Sequence, residues 1–149
     1  SLQINGTLAW FDFTSGVNPT VPTGGPNFGY VNPDFKVQPE ISGSLGAQYT
    51  FELPAGWGGT VRGDYYHQGQ SYARIYNSAA DRIDAWENVN ASLQIVNEGL
   101  GIQVEAFVKN LLDDSPITDI YLTDDSSGLF RNGFLLEPRT FGVAIQKSF

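Results

Sequence analysis

The chain has 149 residues, 16 acidic against 8 basic side chains, a formal net charge of −8, no Cys and no Met. The acidic balance excludes a nucleic-acid partner, because nothing here could neutralise a run of phosphates, and the missing Cys removes any disulfide framework or thiolate metal site. No apolar run approaches the roughly 18 residues that a membrane helix needs, whereas Gly 17, Phe 10, Tyr 7 and Trp 3 suit an all-β chain rich in turns.

Residues 2–13 alternate, with Leu2, Ile4, Gly6, Leu8 and Trp10 on one face and Gln3, Asn5, Thr7 and Ala9 on the other. Ser1-Leu2-Gln3-Ile4 reads as the middle of a strand, and a chain without Met is expected to be a segment of a longer protein. A long connection, 13–41, holds Gly16, Pro19, Pro22, Gly24, Gly25, Pro26 and Pro33. The cleanest alternation follows at 41–53: Ile41, Gly43, Leu45, Ala47, Tyr49, Phe51 and Leu53 against Ser42, Ser44, Gly46, Gln48, Thr50 and Glu52. After the short Pro54-Ala55-Gly56-Trp57-Gly58 turn, residues 59 to about 72 set Val61, Gly63 and Tyr65 opposite Thr60, Arg62, Asp64 and Tyr66.

An intermediate connection, 73–85, leads to 88–95, where Val89, Ala91, Leu93 and Ile95 oppose Asn88, Asn90, Ser92 and Gln94. Asn97-Glu98-Gly99-Leu100 is a tight turn, and 101–109 sets Ile102, Val104, Ala106 and Val108 against Gln103, Glu105, Phe107 and Lys109. A second long connection, 110–138, precedes the last strand, 140–149, in which Phe141, Val143, Ile145 and Phe149 share one parity. Successive side chains of a strand point to opposite faces, so this period-2 patterning predicts strands and no amphipathic helix of convincing length.

The connections run long, short, intermediate, short, long. Long loops at one end and short turns at the other are the asymmetry of outer-membrane barrels, with the long loops extracellular. With the chain ending in the periplasm, connection length and expected side agree throughout. A strand tilted near 45° takes about 11 residues to cross an apolar band of about 25 Å, which 41–53 and 139–149 can meet. Trp10, Phe11, Phe13, Tyr65, Tyr72 and Trp86 are expected in an upper aromatic girdle, and Phe51, Trp57 and Phe149 in a lower one. Of the charges with apolar parity, Glu87, Arg139 and Lys147 lie at strand ends, where their cost is small.

Three stretches carry a family resemblance: Arg62-Gly63-Asp64-Tyr65-Tyr66, Val108-Lys109-Asn110-Leu111-Leu112-Asp113, and Glu137-Pro138-Arg139-Thr140-Phe141-Gly142 before a terminal Phe149. Together they resemble the C-terminal end of a TonB-dependent outer-membrane receptor, although Lys147 stands where that family commonly has an aromatic. The resemblance covers essentially the whole chain and implies an all-β, antiparallel up-and-down transmembrane barrel. This chain would supply the last six of about 22 strands. It also implies energised uptake of a scarce nutrient such as a siderophore, cobalamin or a saccharide. The expected partners are outer-membrane lipid and lipopolysaccharide, the barrel-assembly machinery through the strand ending at Phe149, and TonB through a region outside these residues. Six strands cannot close a membrane barrel, the smallest having about 8.

No catalytic, cofactor or metal residues are assigned. His67 is the only histidine, and its nearest acidic neighbours in sequence, Asp64 and Asp81, do not make a ligand set. Asp113, Asp114, Asp119, Asp124, Asp125 and Glu137 read as a solvated acidic loop, with divalent-cation binding as the sharper alternative. Arg62, Asp64, Glu105 and Lys109 have lumen parity. Phe28, Tyr30, Tyr76, Tyr121 and Phe130 are candidate substrate contacts on the long loops. Two other readings remain: a passive porin or structural outer-membrane barrel, and a soluble β-sandwich binding module.

Overall fold

The computed structural model describes residues 1–10, 38–73, 79–123 and 130–148. In chain order the strands are β1 (Leu2–Trp10), β2 (Ile41–Leu53), β3 (Trp57–Gln68), β4 (Ser71–Tyr72), β5 (Arg82–Ile83), β6 (Trp86–Asn97), β7 (Ile102–Lys109), β8 (Ile117–Leu122), β9 (Arg131–Leu135) and β10 (Thr140–Lys147). Six of them form one antiparallel sheet in the order β1-β2-β3-β6-β7-β10, while β4-β5 and β8-β9 are separate two-stranded pairs within the longer connections. The described residues form no α-helix. The sheet is open, with β1 and β10 each paired on one side only.

The register aligns the two parities across all six strands. Leu45 lies between Gly6 and Tyr65, Leu93 between Val61 and Ala106, and Val104 between Ile95 and Ile145. One face is therefore apolar from edge to edge. The other carries Asn5, Ser44, Gln48, Arg62, Asp64, Asn90, Ser92, Gln94, Glu105 and Gln146. A one-residue slip anywhere would exchange the faces of that strand, so the pattern and the ladder enforce each other.

The apolar face has no covering layer among the described residues. Trp10 is 74% exposed, Leu45 53%, Phe141 78% and Ile145 74%. The one buried hydrophobic residue among them, Ile83, lies in the β4-β5 pair and not in the sheet. A water-soluble sandwich buries its inner faces between two sheets; among the described residues no second sheet packs on the apolar face of the first.

Two glycines are covered by rings from the strand directly opposite. A Cβ on Gly59 would lie 2.4 Å from the Phe51 ring, and one on Gly142 would lie 2.8 Å from the Phe107 ring. That contact accounts for Phe107, an aromatic between Glu105 and Lys109 on its face of β7: its ring lies over the bare backbone of Gly142.

The short turns meet at Asn97, which is buried. Its amide nitrogen donates to the Ala55 carbonyl (3.1 Å) and its oxygen accepts from the Leu100 N–H (2.9 Å), tying the β2-β3 turn to the β6-β7 turn. Lys147 pairs with Ile102 on the apolar face, and its ammonium reaches back to the Leu100 carbonyl at this end of the sheet.

Several expectations change. β2 has the bounds read from the sequence, but β3 ends at Gln68 rather than near residue 72. Gly69 closes the ladder by donating to the Ile41 carbonyl (2.8 Å), and Ser71–Tyr72 turns to pair with Arg82–Ile83. Tyr72 is accordingly not part of a girdle on the six-stranded sheet. Trp86 faces Gln68 in the register and lies on the polar face, its ring 5.0 Å from that of Tyr66. The 110–138 connection contains the β8-β9 hairpin, so much of its backbone is hydrogen-bonded and is not open loop. Phe11, Phe13 and Phe149 lie outside the described residues.

Candidate functional site

The polar face of the sheet is where chemistry-bearing side chains converge. On β3 the i, i+2 spacing puts Arg62 and Asp64 on one face, joined by a two-pronged ion pair of 2.8 Å (Nε to Oδ2) and 2.6 Å (to Oδ1). Gly46 on β2 makes room for it: a Cβ there would stand 2.4 Å from Asn5 Oδ1 and 2.8 Å from Asp64 Oδ1. The pair rims a shallow concavity of about 270 Å³ with Asn5, Thr7, Ser44, Tyr66 and Asn90. Thr7 and Ser44, opposite one another, share a 2.7 Å hydroxyl hydrogen bond at its edge.

Asp64 and Asn90 also line a second concavity of about 640 Å³, whose other walls include Asn88, Glu105, Lys109, Asn110 and Glu137. Of the residues expected in the lumen, Asp64, Glu105 and Lys109 thus meet around one space, and Arg62 joins them through Asp64. Among the described residues, the loop aromatics do not share it. Tyr121 is on β8 and Phe130 just ahead of β9, both largely exposed. Phe28, Tyr30 and Tyr76 lie outside the described residues.

Asn110 organises the junction of loop and sheet. It is almost fully buried and sits at a positive φ of 50°, a conformation Asn tolerates better than most residues. Its amide nitrogen donates to the Asp114 carbonyl (2.7 Å) and the Glu137 carbonyl (2.9 Å), and its backbone N–H donates to Asn90 Oδ1 (3.0 Å). Next to it, Asp113 accepts the Arg139 backbone N–H (3.3 Å) and pairs with the Arg139 guanidinium (3.1 Å). The Lys-Asn-Leu and Pro-Arg stretches, about thirty residues apart in sequence, are therefore two halves of one clamp at the start of β10.

Sequence reasoning did not assign Asn88, Asn90 or Asn110 to a site. Their signal was available: the first two have polar parity, and Asn110 stands in one of the motif stretches.

His67 on β3 faces Glu87 on β6, Nδ1 to Oε1 3.4 Å, on the apolar face near its long-loop end. The partner is thus Glu87, brought in by the register, and not the acids nearest in sequence. Among the described residues no group of three or more His, Cys, Asp or Glu side chains could hold a metal ion. Of the acidic loop, Asp113 is engaged with Arg139 and Asp119 accepts the Ile120 N–H (2.8 Å), while Asp124 and Asp125 lie outside the described residues. No protein-family model, curated protein or solved structure matches the chain.

Proposed function

We propose that this chain is part of the wall of a TonB-dependent outer-membrane receptor, with its apolar face toward lipid, its polar face toward the barrel interior and its long connections outside the cell. The observation that carries the reading is the six-stranded antiparallel sheet whose apolar face runs across all six strands with no covering layer among the described residues, while its other face carries most of the sheet's polar and charged side chains. Such a sheet is unstable in water but suits a membrane barrel, where lipid covers the outward side chains and neighbouring strands satisfy the edges. The Asn110–Glu137 and Asp113–Arg139 contacts support the family, because they give a physical reason for both motif stretches. On this reading further strands pair with β1 and β10 to close the barrel, and the protein takes up a scarce nutrient in an energised cycle.

The full-length protein is expected in the outer-membrane fraction after density-gradient separation, extracted by detergent but not by high salt or carbonate. Recovery in the soluble fraction would overturn both this reading and that of a passive porin.

A further inference from the structure

We propose that the polar face of β1, β2 and β3 binds an uncharged, polyhydroxylated ligand, a saccharide chain lying along the strands. The inference rests on the reading above, in which this face lines an aqueous interior.

The concavity beside Arg62 and Asp64 continues, across Asn5, Gly46 and Arg62, into another of about 480 Å³ that also takes in Gln3 and Gln48. Together they make a trough from Thr7 and Ser44 at one end to Gln3 and Gln48 at the other. That is four residues along each strand, or about 14 Å. Gly46 is the floor at its midpoint. Asn5 Oδ1 and Asp64 Oδ1 converge over its bare backbone, 2.4 and 2.8 Å from where a Cβ would stand, with Arg62 Nη2 at 3.5 Å.

The groups of the trough select the ligand. Among the described residues Arg62 and Asp64 are the only charged groups lining it, and they cancel in their two-pronged pair, so neither an anion nor a cation meets a free countercharge. The remaining polar groups hydrogen-bond in both directions. Thr7 and Ser44 share one O–H between them and keep the other to donate. Asn90, whose Oδ1 accepts the Asn110 N–H, keeps the donors of its amide. Gln3, Asn5 and Gln48 each carry a carbonyl and an amide nitrogen. A sugar hydroxyl likewise donates and accepts, so a row of hydroxyls matches this surface where a single charged group does not. Tyr66 lines the long-loop end of the trough with its ring packed on that of Trp86, centroids 5.0 Å apart. Its apolar body suits the C–H side of a sugar ring. The ion pair also fixes two planar groups before any ligand arrives, which lowers the ordering cost of binding.

The test is isothermal titration of the intact protein with maltotriose, cellotriose and xylotriose, with ferric citrate as the anionic control. Lauryldimethylamine oxide is the detergent, so that no detergent sugar competes. The expected result is saturable binding of at least one trisaccharide and none of ferric citrate. Affinity should fall about tenfold in Gly46→Ala, whose methyl displaces the converging oxygens, and about threefold in Ser44→Ala, which loses one hydroxyl. Gln146→Ala, on the same face at the far edge of the sheet, should leave it unchanged. Ser44→Ala keeps the test valid where Gly46→Ala fails to assemble. No binding of any trisaccharide, the result if the protein's own chain fills the trough, overturns the inference. So does binding indifferent to both substitutions, or ferric citrate bound more tightly than every trisaccharide. With the protein in the outer-membrane fraction, those results sink this inference alone; recovery in the soluble fraction sinks the barrel reading itself.

Discussion

Replacing Leu45 with Arg is expected to destabilise the proposed barrel by about 2–4 kcal/mol, whereas Ser44→Arg, the adjacent residue on the same strand, is expected to cost less than about 1 kcal/mol. Leu45 sits mid-strand on the apolar face between Gly6 and Tyr65, with 53% of its surface exposed. In a bilayer that surface meets hydrocarbon, and an Arg there must drag water or headgroups inward. Ser44 points the other way, and its replacement loses only a hydroxyl hydrogen bond to Thr7 at the rim of a polar concavity. Denaturant unfolding of the full-length protein in phospholipid vesicles measures both. Similar losses for the two substitutions would mean that the faces do not meet different media.

Asn110→Gly should cost about 2–5 kcal/mol despite lying outside every strand. Glycine keeps the positive φ available, so the loss isolates the side chain. Two carbonyls, of Asp114 and Glu137, lose their donor in a buried setting, at about 1–3 kcal/mol each. Because Glu137 leads into β10, the damage should spread along the strand. Hydrogen–deuterium exchange is expected to speed up over residues 137–142, with little change at the β2-β3 turn. Unaltered exchange at 137–142 would show that the clamp does not hold β10 in place.

How much of this could be read from the sequence depends on the physical origin of each feature. The β2 bounds were legible because thirteen residues alternate without interruption and Pro54 ends the run. The end of β3 was not, because residues 71–72 keep a strand-like composition yet pair outside the main sheet. The β8-β9 hairpin was hidden for a related reason: β9 is exposed at every residue, so nothing selects a strict polar–apolar alternation along it.

Trp86 was assigned to the girdle from its nearness to a strand end, but nearness does not choose a face, and parity does. For the site, Arg62, Asp64, Glu105 and Lys109 share a face by parity alone. The roles of Asn90 and Asn110 depend on hydrogen bonds spanning 20 and 27 positions, set by how a long connection docks, and local pattern contains no record of that.

The central claim is that one face of this sheet lies against lipid and the other against water. It is tested most directly by single cysteines placed in turn at positions 43 to 50 of β2 in the full-length protein, with outer membranes labelled by a water-soluble, membrane-impermeant maleimide. This chain has no Cys of its own, and any Cys elsewhere in the protein is first replaced by Ser. Rapid labelling at 44, 46, 48 and 50, with protection at 43, 45, 47 and 49, is the predicted result. Uniform labelling along the strand, or the opposite alternation, would contradict it.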